Sequence, residues 1–431
     1  MIDKYLISPF QKFVSIQSFS GILLLMATIV AIIWANSPFG DIYQAMLNYK
    51  IGIYSADFKL VKPLILWVND GLMTIFFFLI GLEIKRELLI GELNSPKKAA
   101  FPLFAAIGGM LFPVIIFLVL NTDSATQNGW GIPMATDIAF ALAVLTVLGK
   151  RVPLSLKIFL TAFAIVDDLG AVLTIAIFYT EEINWLMLGN AGIILALLFV
   201  LSYLKLYTKY SFILGLVVWY LFLKSGIHPT IAGVLLAFTI PISQRLEGGT
   251  FANKLAELSN KFSAANNPNT NLLSDEQIVY MDAIESWSEK VQSPLQHLEH
   301  KLHGWVAYFI IPIFALFNAG VVVTGGMTLE FSLAFNIAIA LIIGKIIGVT
   351  LMTIVGVKSG LAALPDDIRY SHIIGVAFVA GIGFTMSIFI GNLAFASNPI
   401  YLDSAKVGIL LGSIVSGFIG FLILRFYNHK A

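Results

Sequence analysis

Asp167 and Asp168 stand side by side in TAFAIVDDLGAVLTIAIFY, residues 161–179, a stretch with no other charge. Two adjacent carboxyl groups in apolar surroundings cannot easily both ionise, because desolvation and like-charge repulsion oppose the second charge. Their protons then belong to the pair and leave in separate steps. A hard cation such as Na+ or Li+ takes oxygen ligands, so it would bind the deprotonated pair and be expelled on protonation. A site that holds either protons or a small cation, opened alternately to each side of a membrane, exchanges the two. Neighbouring residues on a helix point about 100° apart, so one acid can line a cavity while the other faces another helix. Asp70, Asp137 and Lys345 (in ALIIGKIIGVT) are further charges inside apolar runs. A charge at mid-membrane costs about 2.5–3.5 kcal/mol, which makes each a functional candidate. For Asp137 and Lys345, ion pairs that merely glue helices together are an open alternative.

The elements that must position these groups are transmembrane helices. Of 431 residues, 58% are hydrophobic and 12% charged, against roughly 45–50% and about 25% in soluble domains; the mean hydropathy is +0.89. A spanning helix needs about 20 apolar residues, and runs of that kind recur at 19–36, 64–83, 99–120, 131–149, 154–179, 185–204, 210–225, 228–241, 304–323, 331–356, 371–394 and 405–426. These predict an all-α polytopic membrane protein with about twelve transmembrane helices. Residues 19–426 read as a single membrane transport domain, with 1–18 a cytoplasmic N-terminal segment and 427–431 a cytoplasmic tail. The outer segment 37–63 contains YKIGIYSADFKLV, which alternates as a β-hairpin would, and the cytoplasmic loop 242–302 contains the linker-like run SAANNPNTN. With the N-terminus inside, most Lys and Arg fall on the cytoplasmic side and only Lys50, Lys59, Lys62, Lys224 and Lys406 fall outside, as the positive-inside rule asks. No apolar stretch at the N-terminus is followed by a cleavage site, so the first span is expected to stay in the mature protein. There is no cysteine and hence no disulfide, and no basic-aromatic patch suggests nucleic acid.

The fourth span, GIPMATDIAFALAVLTVLG, is short and carries Pro133, Thr136 and Asp137; the eleventh carries Gly375, Gly381, Gly383 and Gly391. Short or Gly/Pro-interrupted spans in corresponding places of two halves (here spans 3–5 and 10–12) predict discontinuous helices that meet at the midplane. Facing half-helices leave partial charges at their ends. Asp137 near the N-termini and Lys345 near the C-termini would offset them. Close helix packing is the other use for these glycines.

GLEIKREL, ATDIAFALAV, LKIFLTAFAIVDDLGA, LKSGIHPTIAGV, WVAYFIIPIFALFNAGV and AGIGFTMSIFIGNLAF, in that order from about residue 15 to 426, resemble the NhaA family of sodium/proton antiporters. That family is itself one of the cases behind the discontinuous-helix rule, so this part of the expectation is not independent of the resemblance. The resemblance implies an inverted-repeat fold in a bacterial inner membrane, with both termini cytoplasmic. It also implies electrogenic exchange of cytoplasmic Na+ or Li+ for external protons, with no cofactor beyond the transported ions. It makes Asp168 the central cation ligand and Asp167 its titrating neighbour, sets Thr136 and Asp137 at the helix crossing with Lys345 opposite, and puts Asp70 near the ion pathway. Lys345 has either a structural or a proton-carrying role by this resemblance. His228 matches a position that influences pH response, and Glu83, Lys85, Arg86 and Glu87 with Glu299, His300 and His303 match a pH-sensing region. Histidine titrates near neutrality, which suits such a sensor; an ordinary charged membrane interface is the alternative. Gln296 replaces a lysine common in the family, and the 242–302 loop looks long; both bear on the pH profile. Partners are then membrane lipid and small cations, and the resemblance implies a homodimer through 37–63 that nothing in the residues demands.

Other classes fit less well. An intramembrane aspartyl protease needs a GxGD site, and GIGF at 381–384 lacks the aspartate. A sodium-coupled solute symporter would offer a rich set of Asn, Gln and Ser within the crossing spans, and a passive channel would not bury a carboxylate pair that binds ions.

Overall fold

Prolines and glycines punctuate an otherwise helical chain. In the computed structural model, which describes residues 9–54, 59–180, 182–204, 206, 211–244, 246–265, 272–322 and 329–426, Pro96, Pro294 and Pro399 each open a helix. Proline suits that first position because its missing N–H would have had no intrahelical partner. Eight helices among the described residues are long and apolar enough to cross a membrane, and two bent pairs, Phe19–Ala35 with Gly40–Asn48 and Tyr370–Ala380 with Phe384–Ala394, raise this to ten. Ser211–Ser225 and Thr230–Thr239 are shorter apolar helices. The chain is an all-α, multi-pass membrane protein.

Small residues let the helices approach. Gly348 lies against the backbone of Gly108, and Gly344 against Pro113, where Pro96–Leu120 meets the helix that carries Lys345. A Cβ at any of these glycines would overlap backbone, and without a hydrophobic force between spans such close contact is what holds them. Among the described residues, three wide, π-type turns interrupt the helices, at Trp67–Leu72, Val306–Ile310 and Ala340–Gly344. Such turns often sit at functional positions; Asp70 lies in the first and Lys345 directly follows the third.

The expected hairpin is present: Lys50–Tyr54 pairs antiparallel with Lys59–Pro63, Ile51 opposite Lys62. A helix, Gly40–Asn48, precedes it. The 242–302 stretch is more ordered than its composition implies, with helices Gly248–Ala264, Asp275–Val291 and Pro294–Trp305. Ser274 and Gln277 form a capping box on the second. Positions 266–271 of the linker-like run, like residues 1–8 and the tail 427–431, lie outside the described residues. The ninth span needs correction: its helix runs from Pro294 through Asn318, not from 304 to 323. Glu299 and His303, one turn apart, are both buried, so polar residues pack against protein there, and an apolar window misses them.

Candidate functional site

The helix Gln127–Met134 ends at Ala135, and Ile138–Val147 starts a new one; Tyr370–Ala380 likewise gives way at Gly381–Gly383 to Phe384–Ala394. Each break supplies the backbone partners the other lacks. Asp137 N donates to Ile382 O at 2.6 Å, and the Thr136 hydroxyl donates to Ala380 O at 2.9 Å. Asp137 also caps both new helices: Oδ1 accepts from Phe140 N at 3.0 Å, and Oδ2 from Thr385 N at 3.0 Å and the Thr385 hydroxyl at 2.5 Å. A carboxylate near two helix N-termini meets their partial positive charge and their unpaired N–H groups together. Sequence reasoning set Thr385 at the edge of the second break, Gly381–Thr385, and missed its part as a partner of Asp137.

Lys345 is fully buried. Its Nζ donates to Met134 O at 2.5 Å, the last carbonyl before the first break, and to Thr136 Oγ1 at 2.9 Å. It also meets Asp167, at 2.9 Å to Oδ2 and 3.2 Å to Oδ1. Phe163, a turn before Asp167, sets its ring centroid 5.6 Å from the same ammonium, within cation–π range. The expected helix-end role and the acid pair therefore share one lysine.

Asp168 differs from its neighbour. It is only 1% exposed, and neither carboxylate oxygen has a hydrogen-bond partner among the described residues. Leaving a buried charged group unmatched costs more than a neutral one, at least about 1–3 kcal/mol. An acid kept there suits an oxygen-seeking cation supplied from outside the protein.

Two further groups gather at opposite ends of Leu64–Leu89. At the hairpin end, Asp70 Oδ2 accepts from Lys62 Nζ at 2.6 Å, and Asp70 Oδ1 lies 3.6 Å from His228 Nε2. Sequence reasoning placed Asp70 and His228 in separate roles and did not single out Lys62. At the other end Arg86 donates to Glu299 and, at 2.8 Å, to Glu87. His303 Nε2 lies 3.3 Å from Glu83 and 3.6 Å from Glu299. Lys85 turns away to the carbonyls of Phe238 and Ile240, at 2.7 and 2.5 Å, and His300 is exposed.

An amide triad, two of its members buried, also went unnoticed in the sequence. Asn318 Oδ1 accepts from Asn69 at 3.1 Å and from Asn392 at 2.8 Å, while its Nδ2 donates to Asn69 Oδ1 at 2.8 Å. These amides hydrogen-bond one another across three helices, as interhelical glue does.

The family described as Na+/H+ antiporter 1 matches residues 11–424. Among similar proteins, the Na(+)/H(+) antiporter NhaA of Oleidesulfovibrio alaskensis is 49% identical over 429 residues, covering 98% of this chain and 95% of that protein. The protein of the same name from Bacteroides thetaiotaomicron is 46% identical, with 96% of each chain covered. Na(+)/H(+) antiporter NhaA 1 of Saccharophagus degradans is 44% identical, covering 97% and 92%.

Proposed function

The chain belongs to the Na+/H+ antiporter 1 family and is a sodium/proton antiporter, a transporter and not an enzyme; from that premise we propose that protons and the cation compete for the Asp167–Asp168 pair. The observation that carries this reading is the contrast within the pair, with Asp167 matched by Lys345 and Asp168 unmatched. Deprotonated Asp168 takes Na+ or Li+ directly. Lys345 holds Asp167 while the site is without cation, and cation entry weakens that ion pair because both positive charges then face the same carboxylates. Protonation from the other side expels the cation. The paired breaks give the motion a place, since their backbone bonds form between half-helices that can shift together.

The basic residues on the 242–302 side support a cytoplasmic placing of that end in a bacterial inner membrane, with both termini inside and the hairpin outside. The net movement is then electrogenic extrusion of sodium against inward protons. Ile53 and Tyr54, both well exposed on the hairpin, suit a second copy of the chain at 37–63.

Purified protein in proteoliposomes with an imposed pH gradient tests the reading. Added Na+ or Li+ should collapse the gradient and a large organic cation should not. Equal collapse by all three, or by none, overturns competition at a small-cation site.

The group around Glu83, Arg86, Glu87, Glu299 and His303 suits pH sensing, because a histidine among carboxylates changes the sign of the local charge balance when it titrates. A Glu83→Gln/His303→Gln double variant is expected to shift the pH midpoint of exchange with the rate at its optimum preserved. An unshifted profile returns this group to a structural interface.

A further inference from the structure

We propose that Lys62 is an exit-controlling residue: its ammonium occupies the Asp70 carboxylate as a tethered cation that sodium must displace to pass the hairpin side. This rests on Asp70 lying on the ion path and on the hairpin end facing out.

Lysine at a membrane boundary ordinarily extends its head towards water. Lys62 turns inward, its Nζ 2.6 Å from Asp70 Oδ2, with the lysine side chain 26% exposed and the aspartate 12%. The pair thus straddles the step from solvent to interior. The hairpin frame holds it there: Ile51 pairs with Lys62, Leu64 N donates to Tyr49 O at 2.9 Å, and Trp67 Nε1 donates to Ile51 O at 2.9 Å. Trp219 Nε1 donates to the Asp70 carbonyl at 3.0 Å, which fixes the acceptor as well.

Asp70 also communicates inward. His228, facing its other oxygen, packs edge-on against Phe389 at 5.3 Å between centroids. Phe389 lies one turn beyond Thr385, on the half-helix that Asp137 caps. On the premise that Asp70 lines the path, a cation passing the hairpin side meets a carboxylate already holding an ammonium. The desolvation of a largely buried ion pair offsets much of its attraction, so its use lies in occupancy. An ammonium and Na+ carry the same charge and seek the same oxygens. If the tethered ammonium holds Asp70 about nine-tenths of the time, the apparent affinity for sodium arriving from outside falls about tenfold. Sodium released outward is then hindered from returning.

The test is the sidedness of sodium affinity in proteoliposomes of known orientation, with melting temperature checked for every variant. Lys62→Gln is expected to lower KM for Na+ on the hairpin side about tenfold and to leave KM on the opposite side unchanged, and Lys62→Arg to restore the wild-type asymmetry. An unchanged hairpin-side KM, or equal shifts on both sides, in folded Lys62→Gln overturns the proposal. Asp70→Asn separates the two causes of failure. If it shifts hairpin-side KM while Lys62→Gln does not, Lys62 alone is dismissed. If neither variant shifts it, Asp70 is not on the path, and the premise fails with the proposal.

Discussion

Asp168→Asn is expected to end sodium/proton exchange at every pH while raising thermal stability. Asparagine keeps the size and one carbonyl oxygen but releases no proton and carries no charge, so neither protons nor sodium can be exchanged through it. The same change removes a buried carboxylate whose oxygens have no protein donor, and relief of an unmatched buried charge stabilises. Gains of this kind at functional positions are a known cost of activity. Asp167→Asn is expected to do the reverse on stability, because it leaves the Lys345 ammonium facing a neutral amide, and to retain residual exchange through the surviving carboxylate. Calorimetry adds the demand that sodium binding release protons near the titration midpoint of the pair, with affinity levelling off at higher pH. Sodium binding without proton release, at a pH-independent affinity, rules out competition for shared oxygens.

Lys345→Met is expected to cost about 3–5 kcal/mol of stability, the range for stripping one partner from a buried ion pair, and to leave measurable electrogenic exchange. Methionine fills the space of the lysine stem, so the loss reports charge and hydrogen bonding more than cavity. Three acceptors lose their donor together: Met134 O, Thr136 Oγ1 and the Asp167 carboxylate. The double variant Lys345→Met/Asp167→Asn should recover much of the stability, since no charge is then left alone. Wild-type melting together with abolished charge movement would instead assign the lysine to proton transport. Melting curves and charge displacement on solid-supported membranes measure the two quantities on one preparation.

Several features of this protein were legible residue by residue. An apolar background makes every internal charge conspicuous, so Asp70, Asp137, Asp167, Asp168 and Lys345 could be singled out because each is costly in a bilayer. The two breaks were expected near Thr136–Asp137, shortly after Pro133, and near Gly381–Thr385, since proline removes a backbone donor and glycine loosens a helix. The alternating residues of 37–63 announced the hairpin. The polar amides Asn69, Asn318 and Asn392 and the polar start of the ninth span escaped notice, because a polar residue packed against protein and one facing water look alike in a hydropathy window.

The class of protein, the breaks and the candidate charges followed from the amino-acid order alone, since all depend on local composition and helical spacing. The partners were fixed by the packing of the helices. Lys345 and Asp167 are 178 residues apart, Arg86 and Glu299 are 213 apart, and no periodicity within a helix links such positions. Nothing in two identical, adjacent aspartates says which one the lysine takes. Helical geometry turns them about 100° apart, and the packing of Leu154–Phe178 against its neighbours puts Asp167 against Lys345 and leaves Asp168 without a protein donor. Lys62 likewise reads as a loop lysine until the hairpin folds it over Asp70. Helix packing assigns these roles, because only it brings distant charges within reach in a medium too apolar to leave them apart.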